Sequence, residues 1–274
     1  LARLWLIGGT AESRHIIAAL QTQASLPPTV VTVTTESARQ LYPPHPALTV
    51  WVGTLAPSQG RDFIAAHDIG AILDVSHPFA ADISRLAIAL AQAHSLPYLR
   101  YERPVTSAPE PSWRDRRDRP GLVALPTWAD LLQSQYLGAE ERTLFTTGTR
   151  QLQTLQPWHS QSTLFVRVLP QPDAIAAALA AGFLPQRIIA LRPPISPALE
   201  QALWQQWQIT QVVTKASGAT GGEDHKRAIA AQLGLRLFVL TRPRLPYPRQ
   251  TQVLAAALAF VSHWAQDDVS LLMT

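Results

Sequence analysis

The chain of 274 residues has no cysteine and only two lysines, Lys215 and Lys226, against 21 arginines. Without cysteine there is no disulfide framework, no thiolate metal site and no thiol nucleophile, and no metal-ligating set is expected. The scarcity of lysine removes two enzyme classes. Residues 211 and 222, four before each lysine, are Gln and Gly, so the Tyr-x-x-x-Lys pair of short-chain dehydrogenases and sugar epimerases is excluded. Neither lysine stands between a glycine and a Ser or Thr, which rules out a Walker loop and with it a nucleotide triphosphatase. Long apolar runs are missing too: residues 174–184 and 253–261 are the longest, short of the roughly 18 needed to cross a bilayer, so no membrane partner is expected. The first residues show no basic leader followed by an apolar stretch, and the location expected is cytoplasmic.

Positive charge is modest and scattered. The formal net charge is +4, and the densest basic cluster, Arg114 to Arg119, is interrupted by two aspartates. A nucleic-acid partner is therefore not expected. The planar guanidinium fork grips carboxylate and phosphate, so the arginine bias suits a polyanionic small molecule.

Apolar, β-branched runs alternate with alanine-rich helical stretches, the pattern of βαβ units and parallel sheets. Strands are expected near 3–8, 29–34, 48–52, 70–75 and 97–101, with helices near 10–23, 58–67 and 80–94. A second series has strands near 142–146, 162–168, 187–191, 208–214 and 235–240, and helices near 149–156, 172–182, 196–206 and 223–233. The fold class expected is α/β, with two Rossmann-like domains and a ligand cleft between them. Residues 1–105 form the first domain, the Pro- and charge-rich 106–126 the linker and 127–274 the second, with the last helix, about 250–265, free to pack on either.

Ile-Gly-Gly-Thr-Ala-Glu-Ser-Arg at 7–14 runs from strand to helix through a glycine turn, where backbone amides and the helix N-terminus favour an anion. Leu-Phe-Thr-Thr-Gly-Thr-Arg at 144–150 repeats the arrangement. The second strand ends among Thr34, Thr35 and Ser37, with Arg39 nearby. These groups suit a ribose 2′-phosphate, hence NADPH, although Glu36 keeps NADH open. Gly53 and Thr54, after the third strand, are placed to approach the same cofactor. In each half the fourth strand feeds a polar segment: Asp-Val-Ser-His-Pro-Phe-Ala-Ala-Asp-Ile-Ser at 74–84, and 214–226 with Lys215, Ser217 and Gly218. His77, held extended by Pro78, is a candidate to hydrogen-bond a substrate or supply a proton. Lys215 and its glycine-rich loop make a nest for carboxylate or phosphate.

In combination, the 7–14 segment, Asp-Val-Ser-His-Pro-Phe-Ala at 74–80, Leu-Arg-Tyr-Glu-Arg-Pro at 99–104 and Thr-Lys-Ala-Ser-Gly at 214–218 resemble the precorrin-6A reductases of cobalamin biosynthesis. The resemblance implies hydride delivery from a reduced nicotinamide to one double bond of a carboxylate-rich tetrapyrrole. It implies cofactor contacts at Gly8, Gly9, Thr10 and Glu12. It also implies that His77, Phe79, Ser84, Arg100, Arg103, Lys215, Ser217 and Gly218 surround the reacting ring, and Thr147 and Gly148 of the second glycine turn are placed with these substrate-facing residues. His77 and Lys215 are the candidate proton donors. Where the family carries Gly-Pro-Phe-Ser, this chain has Pro193-Pro194-Ile195-Ser196; proline deletes an N–H donor, so that loop's backbone contact does not carry over, while Ser196 stays. A two-domain nucleotide-sugar glycosyltransferase and a non-catalytic binder of nucleotides or tetrapyrroles are the competing readings.

Overall fold

A computed structural model describes residues 2–23, 26–104, 121–133 and 136–272. The Arg114 to Arg119 cluster and most of the expected linker lie outside the described residues. The chain divides into two compact units, one of residues 1–104 with 243–274, the other of residues 105–242.

The first unit opens with strand β1 (Arg3–Ile7), helix α1 (Ala11–Gln23), β2 (Thr29–Val33), a short α2 (Glu36–Arg39) and β3 (Leu48–Val52). It continues with α3 (Gly60–Ala66), β4 (Ile69–Asp74), α4 (Ala81–Ala93) and β5 (Tyr98–Tyr101). Alternation along β1 explains why the sheet is covered on both faces. Leu4 and Leu6 join a core with Ile16, Val31, Leu73 and Leu99, whereas Trp5 and Ile7 join another with Val30, Phe63, Ile72 and Ile88. Burying strands on both faces is what an all-parallel sheet requires, and it reads as continuous apolar runs.

In the second unit, β6 (Gly121–Leu125) and α5 (Trp128–Leu131) precede β7 (Arg142–Phe145), a run of 3₁₀ turns over Leu152–Ser160, β8 (Thr163–Val168) and α6 (Pro172–Ala180). Then come β9 (Ile188–Ala190), α7 (Pro197–Gln206), β10 (Gln211–Lys215), α8 (Glu223–Leu233) and β11 (Arg236–Leu240). The chain ends in β12 (Gln250–Thr251) and α9 (Leu254–Leu272). No helix of the described residues is long and apolar enough to cross a membrane.

Among the described residues each sheet has six strands, in the orders β3-β2-β1-β4-β5-β12 and β9-β8-β7-β10-β11-β6. All neighbouring strands among the described residues pair in parallel. The sixth strands depart from the sequence reading. Residues 121–125, read as linker, pair with β11, and β12, read as part of the last helix, pairs with β5. The last helix packs against α1, β4 and β5, so residues 243–274 belong with the first unit rather than with 127–242. The physical reason is local: two paired residues in β12 and five in β6 are too short for a periodicity to stand out.

Candidate functional site

The strand order reverses between β1 and β4 in one sheet and between β7 and β10 in the other. That switch point is where open α/β sheets form a crevice beyond the strand ends. Because the strands are parallel, the expected cofactor residues of the first unit all follow strand ends on one edge: Gly8 to Thr10 after β1, Thr34 to Ser37 after β2, and Gly53 and Thr54 after β3. His77 and Phe79 after β4 and Arg103 after β5 lie on that edge too.

The glycine turn is tightly braced. Thr10 and Ser13 cap α1 reciprocally, Ser13 N–H donating to Thr10 Oγ1 and Thr10 N–H to Ser13 Oγ, each at 3.1 Å. Thr10 Oγ1 also donates to Val75 O at 2.9 Å, which fastens the turn to the end of β4. Gly9 has φ +85°, and a Cβ there would meet nothing nearer than Val33 Cγ1 at 4.0 Å. The exposed turn thus offers open room beside a helix start whose first amides have no partner within the helix, and this arrangement fits a dinucleotide's phosphates. Glu12 would repel an anion there, but Arg103 Nη1 lies 3.1 Å from its Oε1 and offsets that charge. Both residues line a hollow with Ser76, Pro78, Arg100 and Tyr101.

The polar groups at the end of β4 sort into two sets. Asp74, fully buried, accepts from Arg100 Nη1 at 2.7 Å, Ser84 Oγ at 2.6 Å, Tyr98 OH at 2.9 Å and Ser76 N–H at 3.0 Å. Burial works against the Arg100 charge, but Asp74, followed by Tyr247 and Glu102, holds it above the usual arginine range. Burial, then the Asp74 charge, pushes the Tyr98 phenol far up. Arg100 and Ser84, expected at the reacting ring, are therefore committed to this core network, with Arg100 also donating to Ser76 Oγ at 2.9 Å. His77 is instead exposed, and its Nδ1 accepts from Phe79 N–H at 3.2 Å. Accepting at Nδ1 leaves the neutral ring's proton on Nε2. Phe79 lies beside it, ring centroids 6.0 Å apart.

Beyond β2, Thr34 is exposed, and Thr35 Oγ1 caps α2 by accepting from Ala38 N–H at 3.2 Å with Ser37 Oγ 3.1 Å away. Gly53 N–H donates to Val33 O at 2.9 Å, which draws the β3 end beside that of β2, and Thr54 is exposed.

In the second unit, Thr147 is buried at the end of β7, and its Oγ1 has no hydrogen-bond partner among the described residues. Gly148 follows with φ +81°, and a Cβ there would meet no atom within 4 Å. Across the switch point, burial and then the Arg150 charge press the half-buried Lys215 down to about 8. The loop beyond it is held from within: Gly218 N–H donates to Glu223 Oε2 at 2.8 Å, and Lys226 Nζ donates to Gly221 O and Gly222 O, each at 3.1 Å. Ser217 is buried in that loop. The peptide between Pro193 and Pro194 is cis, and Ser196 caps α7 by accepting from Leu199 N–H at 3.3 Å.

Three residues escaped the sequence reading. Asp74 had a signal, a carboxylate ending an apolar strand, which burial obliges to find partners. Tyr98 had none beyond its place in a strand. Tyr42, whose hydroxyl accepts from Gly9 N–H at 2.8 Å, sits in a loop 33 residues away with nothing local to mark it.

The family described as precorrin-6x reductase CbiJ/CobK matches residues 3–262. A cobalt-precorrin-6A reductase of Synechocystis is 45% identical over 246 residues, covering 89% of this chain and 90% of that protein. Another so named, from Priestia megaterium, is 31% identical and covers 88% of this chain and 91% of its own length. The solved structure of a CobK precorrin-6A reductase superposes with a TM-score of 0.73 at 22% identity, over 96% of this chain and 97% of that one, a likeness of fold.

Proposed function

We propose a reaction from one premise: the chain belongs to the CbiJ/CobK family of precorrin-6x reductases, and is a reductase of the cobalamin pathway acting on a tetrapyrrole intermediate with a nicotinamide cofactor. Within that class the reaction is transfer of a hydride from NADPH to one double bond of cobalt-precorrin-6A, giving the dihydro product. The cobalt form is favoured because the relatives at 45% and 31% identity both carry that name. A nucleotide-sugar transfer or a purely binding role does not follow from this membership.

The observation that carries the assignment of the cofactor end is the open glycine turn at the β1–β4 switch point. There the first amides of α1 meet the phosphates, and the turn of Gly8, Gly9 and Thr10 leaves room for them to approach, while Glu12 is kept neutralised by Arg103. Thr34, Thr35 and Ser37, with Gly53 and Thr54, line the adenosine end and favour the 2′-phosphate. The bound nicotinamide supplies the hydride. Hydride addition leaves one further proton to be placed on the substrate, and His77 Nε2–H is the donor we assign, with Lys215 the second candidate. Phe79 gives a ring for the macrocycle to lie against. Lys215, with Thr147 Oγ1, Gly148, Ser217 and Gly218, serves substrate carboxylates. Arg100 and Ser84 act by keeping Asp74 and the β4 end rigid.

The test is oxidation of NADPH and of NADH with cobalt-bearing and metal-free precorrin-6A. The expected result is faster turnover with NADPH and the cobalt form, and no oxidation in any mixture would overturn the proposal. Replacing His77 with Ala should lower kcat; an unchanged rate would transfer the proton to solvent or Lys215.

A further inference from the structure

We infer that Tyr42 is a positioning residue for the cofactor, setting the shape of the glycine turn from outside the motif. The inference rests on the cofactor reading above and deepens it. Tyr42 is 5% exposed, and its side chain fills the space beside Gly8, where a Cβ would strike the phenol and approach Val31 Cγ1 to 2.8 Å. Tyr42 and Val31 together therefore leave no room for a side chain at position 8.

Each hydroxyl in this cluster has a definite role. Ser13 Oγ donates its only proton to Thr10 O at 2.7 Å, so in its 2.5 Å contact with Tyr42 OH the phenol is the donor. Tyr42 OH in turn accepts from Gly9 N–H at 2.8 Å. Burial raises the phenol above its ordinary value, which keeps that proton in place. One continuous chain thus runs from Tyr42 through Ser13 and Thr10 to Val75 O at the end of β4. At its other end Tyr42 N–H donates to Arg39 O at 3.1 Å, joining the turn to the α2 loop that carries Thr35 and Ser37. The Gly9 N–H is therefore engaged by Tyr42, so the phosphates are met by the α1 first-turn amides rather than by that group. The adenosine-end loop and the phosphate turn are also mechanically joined through one phenol.

The experiment is Tyr42→Phe in the full chain, with Ser13→Ala as a gentler cut of the same link. Michaelis constants for cofactor and tetrapyrrole, kcat, and a fluorescence titration of NADPH are read for each. Loss of one buried and one part-buried hydrogen bond predicts a rise of about tenfold in cofactor KM and Kd for Tyr42→Phe. A smaller rise, about threefold, is expected for Ser13→Ala, which removes the phenol's acceptor but leaves its bond from Gly9. In both, tetrapyrrole KM and kcat at saturating cofactor stay near wild type. A merely structural role would lower the melting temperature and leave cofactor affinity alone, and that result would overturn the inference; so would equal rises in both Michaelis constants. If Tyr42→Phe does not fold, an unchanged cofactor KM in Ser13→Ala overturns it equally. Wild-type protein that bound neither NADPH nor NADH would instead sink the cofactor reading itself.

Discussion

The two sheets share one arrangement of five strands, in which β7 corresponds to β1 and β10 to β4, and differ in the segments that leave those strands. After β1 comes a glycine turn and then α1, a 13-residue α-helix whose first turn is capped reciprocally by Thr10 and Ser13. After β7 comes a similar glycine turn, but it leads into 3₁₀ turns with Pro157 inside them. A sustained α-helix aligns its peptide dipoles toward the turn, and a run of 3₁₀ turns does so poorly. The fourth strands differ in charge: β4 ends on Asp74, wholly internal and fully partnered, and β10 ends on Lys215, half-buried. In the reading proposed above, the same frame is put to two uses, one copy for a dinucleotide's phosphates and the other for a partner's carboxylates. Symmetry of the five-strand frame did not carry symmetry into the segments at its strand ends.

The strongest way to break this contrast is Asp74→Ala. It strands the Arg100 charge in the interior, and about 3–5 kcal/mol of stability should be lost, read by denaturant unfolding. The double variant Asp74→Ala with Arg100→Leu should recover part of that loss. Lys215→Met, at the corresponding place in the other sheet, should leave stability nearly unchanged while raising tetrapyrrole KM about tenfold.

The charge contrast also predicts a pH effect. Lys215 is cationic below its lowered value of about 8 and neutral above it, so the hold on carboxylates proposed for it is present on the acid side and lost as pH rises. Tetrapyrrole KM should climb between about pH 7 and pH 9, with cofactor KM flat over the same range. Lys215→Arg should remove the climb, since guanidinium keeps its charge. A smaller contrast separates the glycines. Gly9→Ala and Gly148→Ala each put a side chain at positive φ and should each cost about 1–2 kcal/mol. Only the first should weaken NADPH binding, and only the second tetrapyrrole binding. Last, Arg39→Ala should narrow the NADPH over NADH preference by about threefold, because Arg39 is exposed and solvent screens it.

Much of the fold was legible because buried parallel strands announce themselves as apolar runs: β3 falls on 48–52 and α8 on 223–233, as the sequence reading placed them. The 149–156 helix proved to be 3₁₀ turns over Leu152–Ser160, since Pro157 removes an amide that an α-helix needs. Strands β6 and β12 were illegible because their identity lies in which neighbour they pair with, not in their own residues. For the site, the strand-end glycines and His77 could be found from local pattern. The burial of Arg100 could not, because its partner Asp74 is 26 residues away, nor could the reach of Tyr42 into the turn.

The return of β12 and α9 to the first unit has a consequence for the order of events during folding. Among the described residues, 121–240 hold every strand of the second sheet, so that sheet needs nothing coded after residue 240. The first sheet, though begun at residue 3, waits for β12 and for α9, which covers one of its faces. Proteins commonly finish their N-terminal domain first. Here the first unit cannot be completed without the last-coded elements, and until they arrive its β5 edge lacks the β12 partner and its core lacks Ala257, Leu258 and Val261.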